Sequence, residues 1–488
     1  AKKLICNSDT NFVTLMMMQE KDGKAYPTEQ QLADIVKGVR AEKLEAYVDH
    51  VKNEPLIAQL PKAGKIRKTV ENKVLGYKEL TLSNGAKVIM KKTDFKDNEI
   101  LFSAKAKVGY SAFEKADQSS VMLMTQALDA SGLGNFTNAE LEKAMAGKQA
   151  SVKFTMDPFY HGLSGKSTPK DIETLMQLIY LDMTAVKKDE KSFANLQNTY
   201  ATILANQSNN PNLVFQDSVQ STVYLGSKLA RIPSADDIKA INYDRLLAMG
   251  KQYYGNAKDF TFYFVGNYDE ATLLPLIEQY IASLPAKGCT LQNKDIPYAK
   301  GKVSNVFTKA MSNPQNQVQE IWYAMTPYTL KADVLADMAA RLLEMKYLRS
   351  IREELSAAYH AGATASVFTD KDGLAAVNIV GSAQLNPEKS DAAIPCFFQG
   401  MKEVVAGADA ADLQKVKEIL LKQADVDSRE NSHWLSVLIN YATRGVDTHT
   451  DYKKTVNEID SKQISDFLQN TILKSGNHVE VIMKAVKE

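Results

Sequence analysis

The sequence predicts an α+β protein of two homologous domains, each an antiparallel-rich sheet packed with long helices. Three observations predict it. Asn84-Gly85 sits between the strand-like runs 80–82 and 86–90, a strong hairpin signal. Hydrophobic period then switches along the chain. Ile100, Phe102, Ala104, Ala106 and Val108 recur at every second position, whereas Ile172, Leu175, Met176, Ile179 and Met183 recur at helical spacing. Finally, the stretch Ile241-Asn242-Tyr243-Asp244, Tyr254-Gly255-Asn256 and 260–265 returns as Ile459-Asp460-Ser461-Lys462, Lys474-Ser475-Gly476-Asn477 and 479–483. Two copies of one strand-and-helix plan argue for an internal repeat.

Residues 1–52 hold one strand-like run, Val13-Thr14-Leu15-Met16-Met17-Met18, expected to be a buried strand. One helix follows over 28–51, carrying Leu32, Ile35, Val36, Val39 and Leu44. That is too little for a core, so 1–52 reads as the tail of a preceding domain. The opening Ala1-Lys2-Lys3-Leu4 has neither an initiator Met nor the organisation of a signal peptide, and reads as a cut in mid-chain. Residues 53–76, polar with Pro and Gly and no sustained period, read as a linker.

The first domain is expected over 77–290. Thr168-Pro169 is a cap and first turn for the helix after it; a helix near 236–254, a strand at 260–265 and a helix ending at Ser283-Leu284-Pro285 close the unit. The second is expected over 300–488. It has a strand at 318–325, a helix at 331–348 with Leu335, Met338, Ala339 and Leu342 on one face, strands at 363–369 and 375–380, then helices.

Charge excludes some partners. Lys and Arg number 59 against 58 Asp and Glu, a net +1, which gives no electrostatic case for nucleic acid or an anionic membrane. No apolar run approaches the roughly 20 residues of a membrane span. Cys6, Cys289 and Cys396 are too dispersed for a disulfide framework or a zinc knuckle.

Leu82-Ser83-Asn84-Gly85-Ala86-Lys87-Val88 resembles the opening strand of pitrilysin/insulinase-type peptidase domains. Ile232-Pro233-Ser234, Tyr253-Tyr254-Gly255-Asn256-Ala257, Val265-Gly266-Asn267-Tyr268-Asp269 and Leu284-Pro285 resemble the way such a domain ends. The resemblance covers roughly 75–488 and implies the fold of that family of inverzincin metallohydrolases, also seen in LuxS-like proteins. It implies a clamshell of two halves: one holds zinc and the other closes a chamber around an unfolded peptide.

The zinc half of that family uses His-x-x-Glu-His on a helix, where two imidazoles one turn apart grip the metal and the Glu serves as general base. Here the matching helix falls at 119–128, Ser119-Ser120-Val121-Met122-Leu123-Met124-Thr125-Gln126-Ala127-Leu128, with neither His nor Glu. No Glu occurs between Glu190 and Glu270, where the third ligand belongs. The six histidines (His50, His161, His360, His433, His449 and His478) are never closer than 16 residues, so no helical pair exists. The chain is thus expected to bind no cofactor, with zinc in the complementary half. Met122, Met124 and Leu128 read as core. Gly132-Leu133-Gly134-Asn135 reads as a helix stop and turn, and Trp434 as helix packing.

Arg349-Ser350-Ile351-Arg352-Glu353-Glu354, with Tyr359 seven residues after Arg352, resembles the Arg-Glu-Glu…Tyr segment of the family's final domain. The resemblance implies that Arg352 and Tyr359 reach the peptide at the zinc of the other half. A guanidinium offers a rigid donor fork to a carbonyl or carboxylate, and a phenol can donate to a developing oxyanion. Spacing alone equally suits a solvated helix Arg and a strand-packing Tyr. Arg349 and His360 are weaker candidates.

The expected role is the non-catalytic C-terminal half of a bacterial zinc metalloendopeptidase, inactive alone. Its expected partners are the zinc-bearing half and an unfolded peptide, with the periplasm favoured over the cytoplasm. The alternative is a catalytically dead scaffold or peptide-presenting subunit of the same fold.

Overall fold

The computed structural model describes residues 13–18, 23–43 and 52–487. It separates into two units, Ala1–Val51 and Lys52–Glu488. In the first, α1 (Glu29–Ala41) starts at a capping box: the Thr28 hydroxyl accepts the Gln31 N–H, and the Gln31 side chain accepts the Thr28 N–H. None of its residues is buried. Residues 13–18 are not the expected buried strand; they are exposed and unpaired, because no second strand among the described residues of this unit offers them backbone partners. Residues 44–51 of the expected helix, and Cys6, lie outside the described residues.

The second unit opens with β1 (Ile66–Asn72), β2 (Tyr77–Leu82), β3 (Lys87–Lys92) and β4 (Ile100–Lys107). Then come α2 (Met124–Asp129), β5 (Gly132–Leu133), α3 (Asn138–Ala144), β6 (Ala150–Met156), β7 (Tyr160–Ser167), α4 (Ile172–Thr184) and β8 (Val186–Lys187). Four helices follow, α5 (Glu190–Ala205), α6 (Pro211–Val223), α7 (Ala235–Lys239) and α8 (Tyr243–Tyr254), before β9 (Thr261–Gly266) and α9 (Glu270–Leu276).

The Asn84-Gly85 hairpin forms between β2 and β3, with Gly85 at φ +89°. The Asn84 amide also donates to the Ile281 and Leu284 carbonyls at 2.8 and 3.2 Å, tying the turn to the end of this half. Thr168 caps the turn before α4 as the sequence implies. The helix expected near 236–254 is two helices, because Asn242 takes an extended conformation and caps α8.

Residues 66–72 are not linker. They form β1, paired antiparallel to β2 from Ile66↔Leu82 to Asn72↔Tyr77. Composition concealed this strand because its side chains are polar and largely exposed; it is held by pairing with β2 and, at its first residue, by Ile66, which packs on the core and donates its N–H to Glu278 at 3.0 Å.

The remaining strands are β10 (Lys302–Met311), β11 (Asn316–Pro327), β12 (Ala361–Thr369), β13 (Leu374–Leu385) and β14 (His478–Lys487). Helices α10 (Leu330–Tyr347), α11 (Ser390–Ala406), α12 (Ala410–Asp427) and α13 (Asn431–Arg444) lie between them. The two sheets share one topology, β3-β9-β4-β7-β6 against β10-β14-β11-β13-β12. In each, the last strand runs parallel to the first and antiparallel to the next. The sequence repeat of 260–265 and 479–483 is therefore the same inserted strand in both sheets.

Insertion buries both faces of these strands, which is why they read as continuous apolar runs. Phe262 and Phe264 of β9 face their own core, while Tyr263 and Val265 cluster with Val437 and Leu438 of α13. Reciprocally, Val479, Val481 and Met483 of β14 cluster with Phe215, Val219 and Val223 of α6. Each sheet is covered on its far side by a helix from the other half of the chain.

Candidate functional site

α10 continues into a π-helical turn, Leu348–Glu354, in which Ile351 is buried and Arg352 faces outward. The chain reverses at Ser356, whose φ of +47° lies in the left-handed region. The Lys389 ammonium fixes the reversal by donating to the Leu355 and Ser356 carbonyls at 2.9 and 3.2 Å. Tyr359 thereby returns over Arg352, with the guanidinium carbon 5.2 Å from the ring centroid, a cation–π geometry. Tyr359 is 87% exposed. It borders a shallow hollow of about 320 Å³ with Gln315, Ser356, Gln384 and Asn386; Arg352 stands beside the hollow and does not line it.

Two local expectations change. Tyr359 lies two residues before β12 and not on it, and His360 is exposed and likewise outside the strand. Arg349 is engaged with Asp412 at 3.5 Å.

At 119–128 the chain forms turns and then α2. Met124 and Leu128 are core as expected, but Met122 and Gln126 line a cavity of about 820 Å³. Gln118 borders it from the same half, Gln216 and Gln220 from α6, and Gln319 from β11. The side-chain amides of Gln118, Gln216, Gln220 and Gln319 have no hydrogen-bond partner among the described residues, so they are free to donate and accept. Lys228 and Arg231 on its rim are both held by Asp237, at 3.4 and 3.5 Å. The Ser234 backbone N–H, then its hydroxyl, keeps the Asp237 carboxyl well below the usual range. The wall has no Asp, Glu, His or Cys, so it offers no zinc donor set. This cavity had no sequence signature, since glutamines scattered over three elements carry no periodic signal.

The fold also joins two histidines. His433 on α13 and His449 beyond it bring Nε2 and Nδ1 to 3.0 Å, beside the Trp434 ring. Burial holds both imidazoles below their ordinary pKa. A loop makes this pair, so helical spacing could not reveal it. Trp434 itself packs against the α13–β9 cluster and carries the Lys91 ammonium 3.8 Å over its ring. Among the described residues no group of three or more His, Cys, Asp or Glu side chains is arranged to hold a metal ion. No described helix is long and apolar enough to cross a membrane.

Residues 240–420 match the family model described as "Peptidase M16 inactive domain". The chain is 24% identical over 410 residues to the probable zinc protease PqqL of Escherichia coli K12, covering 82% of this chain and 42% of that protein. The crystal structure of the periplasmic protease PqqL from Escherichia coli superposes with a TM-score of 0.78 at 20% identity, over 94% of this chain and 51% of that one. The ferredoxin protease FusC, solved as a point mutant in complex with Arabidopsis ferredoxin, gives 0.74 at 16% identity, over 95% and 51%. The chain thus spans about half the length of these proteins. The fold is that of M16 peptidase domains, the pitrilysin-like α+β fold expected from the sequence.

Proposed function

For a chain homologous to the PqqL-like zinc proteases, whose residues 240–420 are an M16 peptidase inactive domain, we propose the role of non-catalytic half. In this reading the first domain, β1 at 66–72 included and running to 290, and the second at 300–488 close a chamber and orient an unfolded peptide opposite the zinc of a complementary half, fused or separate. Residues 1–52 are the tail of a preceding domain.

The observation that carries the proposal is the pairing of Arg352 with Tyr359 on one exposed, braced turn. An Arg stacked on an aromatic ring loses little further freedom when it engages a substrate carbonyl. The Tyr359 hydroxyl, in solvent at the edge of a hollow, is free to donate to an oxyanion. Zinc in the other half would supply the activated water. The similar Escherichia coli structure is described as a periplasmic protease, which supports a periplasmic location for this chain.

The test is reconstitution. The chain alone should cleave no unfolded polypeptide such as casein, and adding a half that bears His-x-x-Glu-His should restore cleavage. Arg352→Ala should then lower kcat/KM by about tenfold or more, as for loss of one charge-assisted hydrogen bond of about 1.5–3 kcal/mol to a substrate carbonyl. Stoichiometric zinc in the isolated chain, or an unchanged rate in the variant, would defeat the proposal.

A further inference from the structure

Asp129, the last residue of α2, and Asp182, near the end of α4, line one cavity of about 190 Å³. Both helices pack on β6. The rest of the wall is mostly apolar, from Leu133, Leu141, Met145, Val152 and Leu178. Asp182 is 7% exposed, accepts no hydrogen bond, and has no Lys or Arg within 4 Å among the described residues. Asp129 stands at the mouth and accepts one bond, from the Phe154 N–H at 2.9 Å.

Two hydroxyls line the wall, those of Ser131 and Ser151, and the first is already committed: Ser131 donates to the Ala127 carbonyl at 2.7 Å and meets the Tyr243 hydroxyl at 2.8 Å. Glu142 on α3 adds an exposed carboxylate at the rim, and Lys153 on β6 is the cation whose charge reaches Asp129. Asp129 is exposed as a residue, but desolvation of its carboxyl at the cavity mouth raises it to about 6. Burial first, then the Asp129 charge, holds Asp182 well above the usual range.

A buried carboxyl with no donor is costly, and native interiors seldom leave one beside open space. The wall chemistry narrows what would satisfy it. Calcium takes about 6–8 oxygens gathered around one point, and among the described residues no group of three or more His, Cys, Asp or Glu side chains is arranged to hold a metal ion. A primary ammonium presents three donors on a compact head and carries an apolar stem. The two carboxyls accept the head, and the Leu, Met and Val walls take the stem.

We propose that the Asp129–Asp182 cavity binds a primary alkylammonium, either the end of a lysine side chain or a free short amine.

The full chain is titrated calorimetrically with n-butylamine, Nα-acetyl-lysine amide, 1-butanol and calcium chloride. Saturable binding of butylamine is expected, at least tenfold weaker in Asp182→Asn, with none for 1-butanol. If the lysine amide binds as well, the source is a lysine side chain; if butylamine alone binds, it is a free amine. Met145→Trp, which fills the cavity while leaving both carboxyls in place, should abolish binding in a chain whose circular dichroism melt is intact. Equal affinity in the folded Asp182→Asn chain, equal binding of 1-butanol, calcium binding without amine binding, or no saturable amine binding would each overturn the proposal.

Discussion

Thr93, at the end of β3, donates its hydroxyl to the side-chain oxygen of Asn431 at 2.5 Å, joining the first sheet to the first residue of α13. Asn431 is fully buried, and its amide donates in turn to Glu99 at 2.8 Å. One side chain thus satisfies two groups of the other half and sets where α13 lands on β9.

Asn431→Ala should therefore cost more than a surface change. It strands the buried Thr93 hydroxyl and loosens Glu99, an effect of about 1–3 kcal/mol for each buried group left unpaired. Urea denaturation checks it: a lower midpoint at unchanged slope is expected. A midpoint equal to that of the parent would mean that water or a neighbour replaces both bonds.

Tyr359→Phe separates the phenol from the ring. The ring stays to stack on Arg352, and an 87% exposed hydroxyl contributes nothing to the core, so stability should not move. In the reconstituted protease kcat should fall by roughly 10²-fold or more with little change in KM, as for one oxyanion donor. A change confined to KM would make Tyr359 a binding contact and not a donor to the transition state.

These residues also mark how far the sequence could be read. Arg352 and Tyr359 are seven apart, and they meet because a π-helical turn and the left-handed Ser356 fold the chain back. Their types were legible; the reversal was not, since Ser356 is no glycine to announce it. The Asn84-Gly85 hairpin and the inserted strands β9 and β14 were legible because local chemistry dictates them. β1 was not, because it is held mainly by pairing with β2 and buries little of its own side chains. The reciprocal packing of α6 and α13 was hidden for a related reason: an apolar helix face does not say whose sheet it covers.

Two buried ionisable groups pull stability in opposite directions with pH. Glu320 on β11 is fully buried, takes Nε2 of His478 at 2.7 Å on one oxygen, and has no partner among the described residues on the other. Burial pushes its carboxyl from 4.5 up to about 7. The folded chain thus holds this proton more tightly than the unfolded one. Its contribution is fully present below about pH 4.5 and is lost as pH rises through about 7, on the order of 3 kcal/mol at ~1.4 per unit. His161 is the reverse case. Its Nδ1 lies 2.6 Å from the Val108 carbonyl, aromatic rings enclose it, and burial lowers it from 6.5 to about 4. Its contribution is present above about pH 6.5 and is lost as pH falls through about 4. Between these limits the two slopes oppose each other, and Asp129, Asp182, His433 and His449 add their own, so each slope is read as the difference between variant and parent by urea denaturation between about pH 5 and about pH 6.5. Glu320→Gln removes the falling slope and should tilt the profile upward with pH relative to the parent. His161→Phe should tilt it downward. Parallel profiles for the parent and both variants would mean that neither group keeps its buried protonation state in the folded chain.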